Sequence, residues 1–122
     1  MFWLFFACVP EDTTPSITLI TPVEGDVICG SRIAVVTEVT GLVLVDPYPA
    51  DSSAEPKPGT GHVDLTLNGQ DWFMAGSESF TVPDVTPGAW QLKVELSKSD
   101  HTAVEPYAGD FIYVEVTGEP CP

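Results

Sequence analysis

Trp90-Gln91-Leu92-Lys93-Val94-Glu95-Leu96-Ser97 is the stretch on which the fold turns. Trp90, Leu92, Val94 and Leu96 fall on one side of it, and Gln91, Lys93, Glu95 and Ser97 on the other. Successive side chains of a strand leave opposite faces, so this period of two predicts a half-buried strand, where an amphipathic helix would repeat every 3.6 residues or so. Thr86-Pro87-Gly88 forms a turn into it. A loop over 98–109 follows, and then a last strand over 111–117.

The chain upstream reads the same way. In 62–67, Val63, Leu65 and Leu67 share one face. Asn68-Gly69 then predicts a tight hairpin, because both residues tolerate the positive φ of a type I′ turn. Residues 71–74 (Asp-Trp-Phe-Met) are the return strand, and 79–82 is a short strand stopped by Pro83. Further back, 32–40 alternates Ile33, Val35, Thr37 and Val39 with Ala34, Val36, Glu38 and Thr40. Gly41 punctuates it, and 42–45 is a short strand of its own. Ile17-Thr18-Leu19-Ile20-Thr21 is a strand ended by Pro22 and the turn Glu24-Gly25-Asp26. Residues 46–60 contain Pro47, Pro49, Pro56, Pro58 and Gly59 and are excluded from strand interior. No window of a dozen residues keeps helical spacing. Eight short strands with regular turns predict an all-β fold, an antiparallel β-sandwich.

Composition agrees and narrows the function. The 122 residues include 18 Asp plus Glu against 4 Lys plus Arg, a formal net charge of -14, and they are 43% hydrophobic. That apolar content is too high for a disordered acidic tail. Four cations cannot neutralise enough phosphates for nucleic-acid binding, nor form a polybasic membrane patch. Twelve Pro and ten Gly argue against long helices. The acids recur singly in turns and on polar faces, which predicts a solvated coat.

The first nine residues, Met1-Phe2-Trp3-Leu4-Phe5-Phe6-Ala7-Cys8-Val9, are uncharged and far short of the ~20 needed to span a bilayer. They have the length of a secretory h-region; a buried first strand is the alternative. Leu4-Phe5-Phe6-Ala7-Cys8 resembles a bacterial lipoprotein lipobox, although Phe5 stands where Leu or Val is usual and no basic n-region precedes it. That resemblance implies cleavage after Ala7, lipid on Cys8, and a protein anchored to a membrane of the cell envelope; an ordinary cleaved signal would make it secreted. The organisation expected is a signal peptide over 1–7, a tether over 8–15 and one domain over 16–122. With Cys8 acylated, Cys29 and Cys121 remain as an even pair. A bridge between them closes a loop of roughly 90 residues and is worth on the order of 4–5 kcal/mol as an upper figure. Two separate buried thiols are the alternative.

The order of the strands carries a second resemblance. The features are Thr21-Pro22-x-Glu24-Gly25-Asp26, Gly59-Thr60-Gly61-His62-Val63-Asp64-Leu65, Thr86-Pro87-Gly88-Ala89-Trp90-Gln91-Leu92, and Asp100-His101. Together they resemble small immunoglobulin-like modules of exported bacterial proteins, with Asp64 where many such modules have a second His. In an immunoglobulin-like topology the second strand starts, and the last strand ends, at one pole of the sandwich, which suits a Cys29–Cys121 bridge.

Three sets of residues are candidates for function. His62 and Asp64 share a strand face, and Asp100 and His101 sit in the loop between the last two long strands. If they converge, two imidazoles and one or two carboxylates suit a divalent ion such as copper, zinc or nickel; otherwise the histidines are surface or turn residues that hold backbone. Tyr48, Trp72 and Tyr107 are candidates for a sugar- or protein-binding face; Trp90 is expected in the core, and of the adjacent Trp72 and Phe73 one should point inward and one outward. No catalytic residues are assigned. Gly-x-Ser-x-Gly, His-Glu-x-x-His, a phosphate loop and Cys-x-x-Cys are all absent, which leaves a non-catalytic binding or structural module with no cofactor unless the histidines hold a metal.

Overall fold

The computed structural model describes residues 14–47 and 57–122, and among them the regular structure is entirely β. Nine strands follow in order: β1 Ser16–Thr21, β2 Val27–Ile28, β3 Ile33–Thr40, β4 Val43–Leu44, β5 Thr60–Leu67, β6 Gln70–Ala75, β7 Ser79–Val82, β8 Gly88–Lys98 and β9 Gly109–Val116. They form two sheets. The smaller is ordered β1-β3-β7; the larger runs β2-β9-β8-β5-β4, with β6 also paired to β5. The long pairings are antiparallel, β8 with β9 and with β5, and β3 with β1 and β7. This is an immunoglobulin-like β-sandwich.

The alternation read in the sequence is what packs the two sheets. Leu92, Val94 and Leu96 of β8 are buried with Val63, Leu65 and Leu67 of β5, and meet Ile17, Ile33, Val35 and Val82 from the small sheet. Each such aliphatic side chain contributes roughly 1.5–3 kcal/mol by leaving water. Trp90 lies partly buried against this core, its Nε1 donating to the Thr86 carbonyl at 2.9 Å. Phe73 packs inward, stacked on Phe80 with ring centres 5.6 Å apart, while Trp72 stays 37% exposed. The Asn68-Gly69 turn has φ of 51° and 84°, the positive pair expected.

The structure differs from the eight-strand reading by one element. β2 has only two residues and pairs in parallel with Glu115 and Val116 of β9. Two residues show no period, and their partners lie at the far end of the chain. The strand expected over 42–45 is shorter as well: Val43 and Leu44 pair with Thr60 and Gly61, and the chain leaves the sheet after Val45 N–H donates to the Gly61 carbonyl at 2.9 Å.

Cys29 and Cys121 are joined, with Cα atoms 5.1 Å apart and a sequence separation of 92. The bridge ties the turn before β3 to the chain after β9, reinforced by Gly30 N–H donating to the Glu119 carbonyl at 2.6 Å.

Carboxylates cover backbone donors that the sheets leave open. Asp110 Oδ2 accepts from Leu19 N–H at 2.9 Å, Glu78 Oε2 from Val39 N–H at 2.8 Å, and Glu24 Oε1 from Tyr113 N–H at 3.0 Å. Part of the acidic coat therefore satisfies strand donors that would otherwise be open for pairing with another chain.

Candidate functional site

Gly61 lets β5 pass close beside its neighbours at the point where His62 begins. A Cβ at this position would collide with the Ser97 carbonyl and the Leu42 side chain. The register then sets His62 opposite Ser97 and Asp64 opposite Glu95, all on the face turned away from the core. After β8 the chain doubles back. His101 N–H donates to the Lys98 carbonyl and Lys98 N–H to the Thr102 carbonyl, both at 2.8 Å, and Ser97 forms a bridge with Ala103. This turn, with His101 at a φ of 69°, brings the His101 ring centre to 5.2 Å from that of His62.

His62 is consequently buried completely, at 0% exposure. This corrects the view of it as a surface residue: its face of β5 is polar by pattern, but the returning loop covers it there. His101 is the exposed turn residue that the alternative reading describes. Asp100 does not join the pair. Its Oδ1 accepts from the Thr102 backbone at 3.0 Å and from the Thr102 hydroxyl at 2.5 Å, which holds the turn.

His62 Nε2 stands 3.1 Å from Asp64 Oδ1, within ion-pair reach but out of line for a hydrogen bond. Its Nδ1 is buried and has no hydrogen-bond partner among the described residues. Ser97 donates its hydroxyl to Asp64 Oδ2. Burial pushes the Asp64 carboxyl up, but the contacts from His62 and Ser97 and the charges of both imidazoles outweigh it and hold it below the usual carboxylate range. The order serine, carboxylate, imidazole is not that of a nucleophilic triad. There the imidazole lies between the other two to take the hydroxyl proton; here the carboxylate does. Among the described residues, no three His, Cys, Asp or Glu are disposed to hold a metal ion together.

Asp64 and His101 also line an open groove of roughly 630 Å³ with Pro47, Trp72, Phe73 and Met74. Trp72 sits where the β5–β6 register shifts between Leu65 and Thr66, and it meets Trp90 edge-on with centres 5.8 Å apart. Tyr107 is 60% exposed and does not line this groove; it hydrogen-bonds to Glu95, the cross-strand neighbour of Asp64. Its phenol is raised, by partial desolvation first and then by its hydrogen bond to Glu95 and that carboxylate's charge. Tyr48, Cys8 and the segment read as a signal lie outside the described residues.

Ser97 is the member of this cluster that sequence reasoning did not single out. It is a polar-face residue of β8, and only the β5–β8 register places it against Asp64.

No protein-family model matches the chain, and no curated protein does. Solved structures do. The chain is similar to the fibronectin(III)-like modules of Clostridium thermocellum CbhA, at 15% identity over 86% of this chain and 99% of that one, with a TM-score of 0.54. It also aligns with the solution structure of the PKD domain from human KIAA0319, at 13% identity over 93% of each chain, with a TM-score of 0.43. The similarity to the fibronectin(III)-like modules is one of fold.

Proposed function

We propose that this chain is a non-catalytic binding or structural module of the bacterial cell envelope, held to a membrane by lipid on Cys8. The observation that carries the reading is the Cys29–Cys121 bridge. Of the three cysteines in the sequence it leaves Cys8 alone, at the end of an apolar run that resembles a lipobox. Disulfides persist in oxidising compartments, which supports export. Two or three acyl chains, each CH₂ worth about 0.8 kcal/mol when buried, would hold the module at the membrane. The acidic surface keeps the domain itself away from anionic headgroups and from nucleic acid. A fibronectin-like sandwich with no catalytic group assembled among the described residues fits a spacer or a docking module.

Cell fractionation tests the anchor. The wild-type protein should pellet with membranes and stay there in high salt, and Cys8→Ser should move to the soluble fraction. Equal membrane retention of both proteins would sink the proposal.

A second reading, sugar binding, is favoured by Trp72. It is partly exposed in a groove whose rim holds Asp64 and Asp71, so an indole face lies near carboxylates able to accept hydroxyl protons. Quenching of tryptophan fluorescence by an envelope glycan, lost in Trp72→Ala, would support it; a silent glycan array would remove it.

A further inference from the structure

We infer that His62 and His101 form a two-imidazole binding site for a divalent transition metal, copper(II) above zinc(II), with Asp64 as the positioning residue behind His62. The inference concerns the folded domain and is independent of the lipid anchor.

The starting point is His62 Nδ1. A fully buried imidazole with an unpartnered ring nitrogen is costly and calls for a reason. Its other nitrogen faces a carboxylate at 3.1 Å, and that carboxylate is itself held by the Ser97 hydroxyl. This is the supporting arrangement of a metal-bound histidine, in which one ring nitrogen faces a hydrogen-bonded carboxylate and the other binds the ion. It leaves Nδ1 of His62 as the ligand atom.

The second imidazole is already beside the first. Two rings on one tetrahedral ion, with metal–nitrogen bonds of 2.0–2.1 Å, have centres about 5 Å apart. The centres of His62 and His101 are 5.2 Å apart. His101 is exposed and, with Asp64, lines the open groove, so the outer of the two imidazoles is reachable from solvent. Water completes the coordination, since no three His, Cys, Asp or Glu among the described residues form a cage. Imidazole ligands suit copper and zinc, and the general order of affinities puts copper(II) first. Relative to the four-residue set expected from sequence, the structure thus keeps both histidines, moves Asp64 behind the ligand and releases Asp100 to its turn.

The test is calorimetric titration of copper(II) and zinc(II) into the full chain carrying Cys8→Ser, so that the thiol does not compete. One ion per chain is expected, with copper the tighter, and the electron paramagnetic resonance spectrum of the copper form should show two coupled imidazole nitrogens. His101→Ala, at an exposed turn that should not disturb folding, should weaken copper at least tenfold and reduce the spectrum to one nitrogen. Asp64→Asn should bind about 10–100-fold more weakly with both nitrogens retained, as expected for a positioning residue. Asp100→Asn should bind like the parent. Unchanged affinity in His101→Ala, loss of a nitrogen in Asp64→Asn, or no saturable copper binding would each overturn the inference.

Discussion

Asp64 combines burial with ionisation, and its neighbours explain how. Its folded pKa is held below the ordinary carboxylate value by His62, Ser97 and His101 acting against desolvation. The stabilisation is therefore fully present above the unfolded pKa of about 3.9 and is lost as pH falls through the lower folded value. Asp64→Asn should cost about 1–2 kcal/mol in urea denaturation at neutral pH, the range for a hydrogen-bonded charge partly open to water. The difference between wild type and variant should shrink as the titration is taken from about pH 5 toward pH 2. A gap that persists undiminished in acid would show that the carboxylate's charge is not what stabilises the cluster. At this scale the sequence was legible in part. Alternation along β5 put His62 and Asp64 on one face, but whether that face is open or covered depends on where the chain returns after β8, which is non-local.

Strand β5 is the element on which both the core and the site depend. It is bordered on one side by β8 and on the other by β4 and β6, so its fit is set by contacts in both directions. The glycines at and just beyond its two ends act differently. Gly69, just past its end, has a φ of 84° with open space around it, so Gly69→Ala meets only backbone strain, about 1–2 kcal/mol. At Gly61 a side chain would strike the backbone of β8 and the side chain of Leu42. Gly61→Ala should therefore cost more, about 3 kcal/mol, and should loosen the β5–β8 pairing. Thermal denaturation with amide exchange at Ser99, whose N–H donates to the Thr60 carbonyl of β5, checks this: the Gly61 variant should lose protection there, and the Gly69 variant should not. Equal effects would mean that strand spacing is not the constraint. The period of two made the long strands readable, whereas β2 and β4 have two residues each and exist only through their parallel partners on β9 and β5.

Over the whole molecule, the bridge and the acidic surface act on different states. The Cys29–Cys121 bond, spanning 92 residues, mainly restricts the unfolded chain; Cys121→Ser, or reduction, should lower stability by about 2–5 kcal/mol while leaving the β circular-dichroism signature in place. A variant as stable as the parent would show that the sandwich closes without it. The net charge of -14 keeps the folded form soluble, and Glu24, Glu78 and Asp110 also spend their charge on strand N–H groups. The cysteine pairing was readable from parity and strand order, because both ends of the bridge fall at one pole of an immunoglobulin-like topology. The carboxylate caps were not, since each spans a distance that no local pattern encodes.

The central claim is that this sandwich is carried on lipid at Cys8, and mass spectrometry of the N-terminal peptide of the mature protein tests it most directly. The account predicts a peptide that begins at Cys8 and carries the added mass of a diacylglyceryl group, with or without a third acyl chain on its amine. A peptide that runs intact through Ala7 and Cys8, or a mature protein with an unmodified Cys8 thiol, would contradict it.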